Sequence, residues 1–194
     1  WSVEEAQKAG YEHFMLKEIH EQPKVIRNTL GEYTRETGQV IDLAGMRDTG
    51  LNSVLLLACG TSYHAAMIGK YIVRELLKIP ARIEIASEYN YYSDVLPGTI
   101  AIAITQSGET ADTLKAMKRL REAGSRVIAI TNVVGSTASR IANQTIYTRA
   151  GPEMSVAATK SFTGQLMALY WLAMTNSKDN SRRLSGLLTE LRQL

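Results

Sequence analysis

Short apolar runs and helix-spaced apolar stripes alternate along most of the chain. Residues 53–59, Ser-Val-Leu-Leu-Leu-Ala-Cys, form an unbroken apolar run, and without the alternation of a half-exposed strand it fits a strand buried on both faces. The run stops at Gly60-Thr61-Ser62, a predicted glycine turn, and residues 63–78 then carry Ala65, Ala66, Ile68, Gly69, Ile72, Val73, Leu76 and Leu77 mainly on one helical face. Residues 82–86 alternate as a shorter strand. Residues 87–92 read as an aromatic, polar short helix or turn, and Pro97-Gly98 as a turn. A third strand is predicted over 100–104 and a helix over 111–122, closed near Gly124. A fourth strand over 126–132 leads through Gly135-Ser136 and a short helical segment to Ala142, and a fifth spans 145–148. Residues 150–158 form a loop, after which Thr159 is expected to cap a long apolar helix ending at Met174.

Both ends are helical in pattern. From Tyr11 to Tyr33, Phe14, Met15, Ile19, Val25, Ile26 and Leu30 recur at helical spacing around Pro23, which predicts two short helices meeting near Glu21-Gln22-Pro23. Their apolar faces either layer over the core or meet a partner subunit, the layer being the simpler reading. Residues 36–52 hold Gly38, Gly45 and Gly50 and read as a connector, with a short helix around 42–47. At the far end, 176–180 is polar linker and 181–194 an amphipathic helix with Leu184, Leu187, Leu188 and Leu191 on one face.

Strands that alternate with helices and look buried on both faces predict an α/β fold: a doubly wound, flavodoxin-like, five-stranded parallel sheet. The expected organisation is a helical segment and connector over 1–50, the sheet domain over 51–176, and a linker and final helix over 177–194. In such sheets ligands sit beyond the carboxyl ends of the strands, where neighbouring crossovers diverge.

Composition narrows the function classes. With 194 residues, 45% hydrophobic and 21% charged, the chain is ordinary globular material. The net charge of +3 comes from dispersed Lys and Arg with no run of like charges, so no nucleic-acid footprint is expected. No apolar run reaches the length of a membrane span, and the N-terminus lacks a signal pattern. Cys59 is the one cysteine, so no internal disulfide forms, which suits a reducing cytoplasm. His13, His20 and His64 show no zinc-type spacing, and no metal or cofactor is expected. A start at Trp1 rather than Met suggests a piece of a longer protein.

The candidate chemistry sits in two strand-to-helix bends, Cys59-Gly60-Thr61-Ser62 and Thr105-Gln106-Ser107-Gly108-Glu109-Thr110. Each offers a glycine, hydroxyls and a helix N-terminus whose free N–H groups and positive dipole end favour an anion. Hydroxyls and N–H groups can satisfy the terminal oxygens of a phosphate monoester without a cation. Neither bend matches Walker A or GxGxxG, so a phosphosugar suits the site better than a nucleotide. The alternative is that these Ser and Thr residues are plain helix caps. Cys59 fits a buried strand residue better than a nucleophile, and Glu109 fits dipole stabilisation better than a general base. Lys160 faces a ligand or solvent, solvent being the simpler reading, and Glu153 has no assigned role.

Ala58-Cys59-Gly60-Thr61-Ser62, Glu84-Ile85-Ala86-Ser87-Glu88, Gln106-Ser107-Gly108-Glu109-Thr110-Ala111-Asp112-Thr113 and Val156-Ala157-Ala158-Thr159-Lys160-Ser161-Phe162 resemble, in order, the isomerase part of the glutamine:fructose-6-phosphate aminotransferase family, the glucosamine-6-phosphate synthases. The segment from Phe14 to Pro23 resembles the opening of that part. The Gln-Ser-Gly-Glu-Thr motif alone would indicate only the wider sugar-isomerase, or SIS, domain. The segment from Phe14 to Pro23 and the Glu84-Ile85-Ala86-Ser87-Glu88 run narrow the resemblance to the synthase.

That resemblance implies fructose 6-phosphate or glucosamine 6-phosphate as ligand, with phosphate on Ser62, Thr105, Gln106, Ser107 and Thr110. It also implies sugar contacts at Thr61 and the backbone around Val156 and Ala157. Thr105 stands where the family commonly has Ser and keeps the hydroxyl; Ala158 stands where serine is common, so a side-chain contact is lost there. The family's complete enzyme adds a glutaminase domain, a second SIS subdomain and a tail, and it is the second subdomain and the tail that carry the catalytic glutamate, the ring-opening histidine and the sugar-binding lysine of the isomerisation. No catalytic residue therefore matches here, and the chain is expected to bind ligand without turnover. A homodimer is expected too. The rival is an SIS module that senses a phosphosugar for a regulator.

Overall fold

The computed structural model describes residues 7–34, 41, 43, 53–92, 94–95, 98–177 and 186. Five strands, β1 (Ser53–Ala58), β2 (Ala81–Ile85), β3 (Thr99–Thr105), β4 (Arg126–Thr131) and β5 (Gln144–Tyr147), are joined through helices α1 (Phe14–His20), α2 (Gln22–Thr34), α3 (Gly60–Ile72), α4 (Ala86–Tyr92), α5 (Ala111–Glu122), α6 (Thr137–Ile141) and α7 (Lys160–Thr175). The sheet order is β2-β1-β3-β4-β5 and every pairing is parallel.

Side chains on a strand alternate between faces, and here the two faces are chemically distinct. Val54, Leu56, Ala58, Ile100, Ile102, Ile104, Ile128 and Ile130 point into one core with Ala66 and Ile72 of α3 and Ala168, Leu169 and Leu172 of α7. Leu55, Leu57, Ala101, Ala103, Val127 and Ala129 point into the other, against Tyr89 of α4 and Ala116, Met117 and Leu120 of α5. The alanines make room for the larger helix residues, as a close-packed interior requires. Dense packing extends to Gly69 of α3, where a Cβ would lie 2.8 Å from Leu56 and 3.0 Å from Leu169. Thus α3 and α7 cover one face of the sheet, and α4 and α5 the other.

Several sequence expectations shift. Gly60-Thr61-Ser62 is not a separate turn but the first turn of α3, so that helix starts three residues before the predicted 63 and its last turn, Val73–Leu77, widens to a π-helix. Cys59 lies beyond β1 as a partly exposed residue in extended conformation, not as a buried strand residue. In α1 the expected amphipathicity is reversed: Lys17 and Glu18 are buried, while Met15, Leu16 and Ile19 are exposed. Charge pairing explains the reversal, as shown below. The connector helix around 42–47 and the helix over 181–194 fall outside the described residues, apart from Leu43 and Gly186. Among the described residues no helix is long and apolar enough to cross a membrane.

Candidate functional site

Ala58 pairs with Ile104 at the carboxyl ends of β1 and β3, so the segments that follow leave the sheet side by side. From there α3 runs over one face and α5 over the other. The crossover from β1 returns to β2 and that from β3 to β4, so the direction of winding reverses between these two strands. A crevice at such a point is where doubly wound sheets hold ligands. Here it is flanked by two helix N-termini.

The loop after β3 has a definite shape. Gly108 has φ +71, and a Cβ on it would lie 2.2 Å from Ser136 Oγ and 3.0 Å from Thr131 Oγ1, so only glycine fits. The Gly108 N–H donates to Thr105 Oγ1 at 3.2 Å, and the Thr105 and Thr110 hydroxyls lie 3.1 Å apart. The Glu109 N–H donates to Ser107 Oγ at 3.1 Å. Gln106 anchors the loop through its carbonyl, which accepts from the Asn132 N–H at 3.1 Å.

These hydroxyls are not plain helix caps. Thr110 precedes α5 without a side-chain bond to the helix backbone, and its hydroxyl faces Thr105. On α3 the preceding residue is Cys59, likewise without a capping bond. Ser62, buried in the first turn of α3, accepts a hydrogen bond from Gln165 Nε2 of α7 at 2.9 Å. Thr61 is exposed beside it.

Glu109 acts at a different helix from the one expected. Its carboxylate accepts from the Thr137 N–H at 2.8 Å, at the start of α6. Hydrogen bonds from Thr137, with the Arg140 charge as a smaller contribution, hold this carboxyl below the ordinary carboxylate range. It ties the β3 loop to the β4 loop.

A second constellation lies beyond β4 and β5. The Asn132 side chain accepts from the Ala150 N–H at 2.8 Å and the Thr148 hydroxyl at 3.1 Å, and donates to the Gly151 carbonyl at 2.7 Å. Glu153, not Thr159, caps α7: its carboxylate accepts from the N–H groups of Thr159 at 2.9 Å and Ser161 at 3.2 Å, and from the Ser161 hydroxyl. Thr159 makes no capping bond of its own. A carboxylate suits this position because it meets the orphan N–H groups with a full charge.

Glu18 of α1, 1% exposed, accepts from the Met154 N–H at 2.5 Å and from the Ser155 N–H and hydroxyl. Lys160, expected to face solvent, is instead 3% exposed and paired with Glu21 at 2.5 Å, with Lys17 3.6 Å from the same carboxylate. These pairs explain why α1 turns its charges inward. A cavity of about 470 Å³ opens here, with Asn28, Asn132, Arg149, Gly151 and Lys160 in its wall.

The structure thus brings Ser62, Thr105, Gln106, Ser107 and Thr110 to one sheet edge, with Thr61 at its rim. Val156 and Ala157 sit apart on the loop after β5, both exposed, between anchors at Glu18 and Glu153. That loop feeds α7, and Gln165 lies about 7 Å along the helix axis from Lys160, where it reaches Ser62. Glu18, Glu21, Asn132, Glu153 and Gln165 escaped the motif search. Glu18 and Gln165 carry a sequence signal, a polar residue within an apolar helical pattern; Asn132 and Glu153 lie in loops and carry none. Among the described residues no three His, Cys, Asp or Glu side chains converge as metal ligands would.

Comparison with known proteins adds independent findings. The SIS domain family profile matches residues 50–175. The chain is 45% identical to glutamine–fructose-6-phosphate aminotransferase (isomerizing) of Caldanaerobacter subterraneus subsp. tengcongensis over 203 residues, which takes in 100% of this chain and 33% of the relative. It is 53% identical to the protein of the same name from Methanosarcina acetivorans over 180 residues, 90% of this chain and 29% of the relative. The chain therefore spans about a third of these relatives' length and matches their isomerase portion. Among solved structures, the C-terminal domain of glucosamine-fructose-6-phosphate aminotransferase from Francisella tularensis superposes with a TM-score of 0.85 at 34% identity, covering 96% of this chain and 55% of that one. The sugar isomerase domain of an RpiR transcription factor from Sphaerobacter thermophilus shares the fold, with a TM-score of 0.65 at 17% identity, covering 93% of this chain and 98% of that one.

Proposed function

This chain belongs to the SIS domain family, and from that premise we propose that it supplies a phosphosugar-binding half of a glutamine–fructose-6-phosphate aminotransferase, with fructose 6-phosphate or glucosamine 6-phosphate as ligand. The phosphate sits in the crevice between the starts of α3 and α5, where the hydroxyls of Ser62, Thr105, Ser107 and Thr110 and the amide of Gln106 surround it. Thr61 and the backbone at Val156 and Ala157 face the sugar. The observation that carries the proposal is the divergence of α3 and α5 to opposite faces of the sheet from adjacent strands. It points two helix N-termini at one place while leaving Thr110 without a capping role. Identity to aminotransferases at 45% and above favours this reading over a sensor module, whose fold is shared at 17% identity.

The parent enzyme, in this proposal, moves nitrogen from glutamine onto fructose 6-phosphate. Its glutaminase domain, second SIS subdomain and tail hold the catalytic groups, and this chain positions substrate. Proton transfer between adjacent sugar carbons needs an acid–base group in reach of both. Glu109, the carboxylate within the motif, is committed to Thr137 at the start of α6. The exposed Met15, Leu16 and Ile19 of α1 support association with a second copy. The single cysteine supports a reducing, cytoplasmic setting.

Calorimetric titration with fructose 6-phosphate tests the site. Replacing Ser107 and Thr110 together with Ala should weaken binding about tenfold or more, since two hydrogen bonds to a charged group are lost. Unchanged affinity would place the ligand elsewhere.

A further inference from the structure

Gln165 stands out in α7. It is 2% exposed in a helix that otherwise buries Ala168, Leu169, Trp171 and Leu172, and burying an amide is unfavourable unless it is bonded. Its Nε2 donates to Ser62 Oγ at 2.9 Å across 103 residues of sequence. Its Oε1 is buried without a hydrogen-bond partner. Among the described residues the amide is therefore engaged by Ser62 alone.

A serine hydroxyl has one proton and two acceptor lone pairs. When Gln165 donates to Ser62 Oγ, that oxygen is already an acceptor toward α7, and its proton is left to point into the crevice. An ionised phosphate oxygen can only accept, so Ser62 must donate to it, and the amide presets the polarity that an anion needs. The opposite amide orientation would take the Ser62 proton and leave the NH₂ group buried without acceptors, a costlier arrangement than one orphan carbonyl oxygen.

We propose that Gln165 is a positioning residue that commits the Ser62 hydroxyl to donate to the phosphate, and so helps the crevice select phosphomonoesters over uncharged sugars. The proposal rests on the phosphosugar reading above. Gln165 touches Ser62 and not the ligand, so its influence runs through one hydroxyl. It also couples the two constellations, because α7 starts from the loop that bears Val156 and Ala157.

The test compares Gln165→Met, Gln165→Glu and Ser62→Ala, with fructose 6-phosphate as the calorimetric probe and circular dichroism to verify folding. Gln165→Met keeps the volume and removes the donor, and should weaken binding about fivefold. In its ionised form Gln165→Glu should weaken it about fiftyfold, because a carboxylate accepts the Ser62 proton and repels the phosphate. As the pH falls and that introduced carboxyl takes up a proton, it can again donate to Ser62, so the ratio of wild-type to variant affinity should shrink toward that of Gln165→Met. In a Ser62→Ala background, Gln165→Met should have no further effect. Equal, pH-independent losses in both Gln165 variants, or full additivity with Ser62→Ala, would reduce Gln165 to a packing role and overturn the inference. Should Gln165→Glu fail to fold, the Ser62 and Gln165→Met cycle decides by the same criterion. No binding by the unsubstituted protein would instead overturn the phosphosugar reading, and this inference with it.

Discussion

The carboxyl edge of the sheet has two chemically opposed halves. Between β1 and β3 the lining is hydroxyls, one amide and backbone N–H groups, without a lysine or arginine in either bend. Beyond β4 and β5 it is carboxylates, amides and cations: Glu18, Glu21, Asn132, Glu153, Arg149 and Lys160. The first half keeps its bonds short-range and uncharged: the Gly108 and Glu109 N–H groups donate to the Thr105 and Ser107 hydroxyls, and Ser62 accepts from Gln165. The second spends its charges internally, on the start of α7, on the loop at Met154 and Ser155, and on the α1–α7 pair. On the proposed reading, charge at a sheet edge is thus no guide to where an anion binds. A carboxylate tied to N–H groups is a structural brace, whereas a neutral cluster of hydroxyls at two helix starts is the better phosphate cradle.

The contrast can be broken from either side. Gly108→Ala should do the most damage, because it adds a side chain at φ +71 and puts a Cβ 2.2 Å from Ser136 Oγ. The expected loss is about 3 kcal/mol, the sum of backbone strain and overpacking, read from urea unfolding midpoints. Phosphosugar binding should be weakened with it, since the loop that carries Ser107 and Thr110 is displaced. Lys160→Met comes next. It strips the buried partner from Glu21, but Lys17 remains 3.6 Å away from that carboxylate, so the expected loss is about 2 kcal/mol, below the range for an isolated buried pair. Affinity for inorganic phosphate should stay within about twofold of the unsubstituted protein. A Lys160→Met variant of full stability would show that the α1–α7 pair contributes nothing, and a large loss of phosphate affinity would show that the two halves are not separate.

The same contrast explains what could be read from the chain beforehand. Each strand is a local apolar run and each long helix a local stripe, so the order of elements and the parallel sheet follow from windows of a few residues, and 111–122 coincides with α5. The bends at Thr61-Ser62 and Thr105 to Thr110 are also local, because glycine, hydroxyl and helix start lie within six residues. Glu18 with Ser155, Glu21 with Lys160 and Ser62 with Gln165 are more than 100 residues apart. No periodicity links such partners, and an isolated glutamate or lysine reads by default as solvated surface. The helix start at Gly60 was missed for a smaller reason: glycine is a poor helix former, yet here it begins α3 at φ +57.

The most direct test of the central claim is a titration of the ¹⁵N-labelled protein with fructose 6-phosphate, followed by amide chemical shifts. The account predicts the largest shifts at Ser62, Ser107, Gly108, Glu109 and Thr110, around the starts of α3 and α5. Largest shifts at Asn132, Arg149, Gly151 and Lys160, around the cavity beyond β4 and β5, would contradict it.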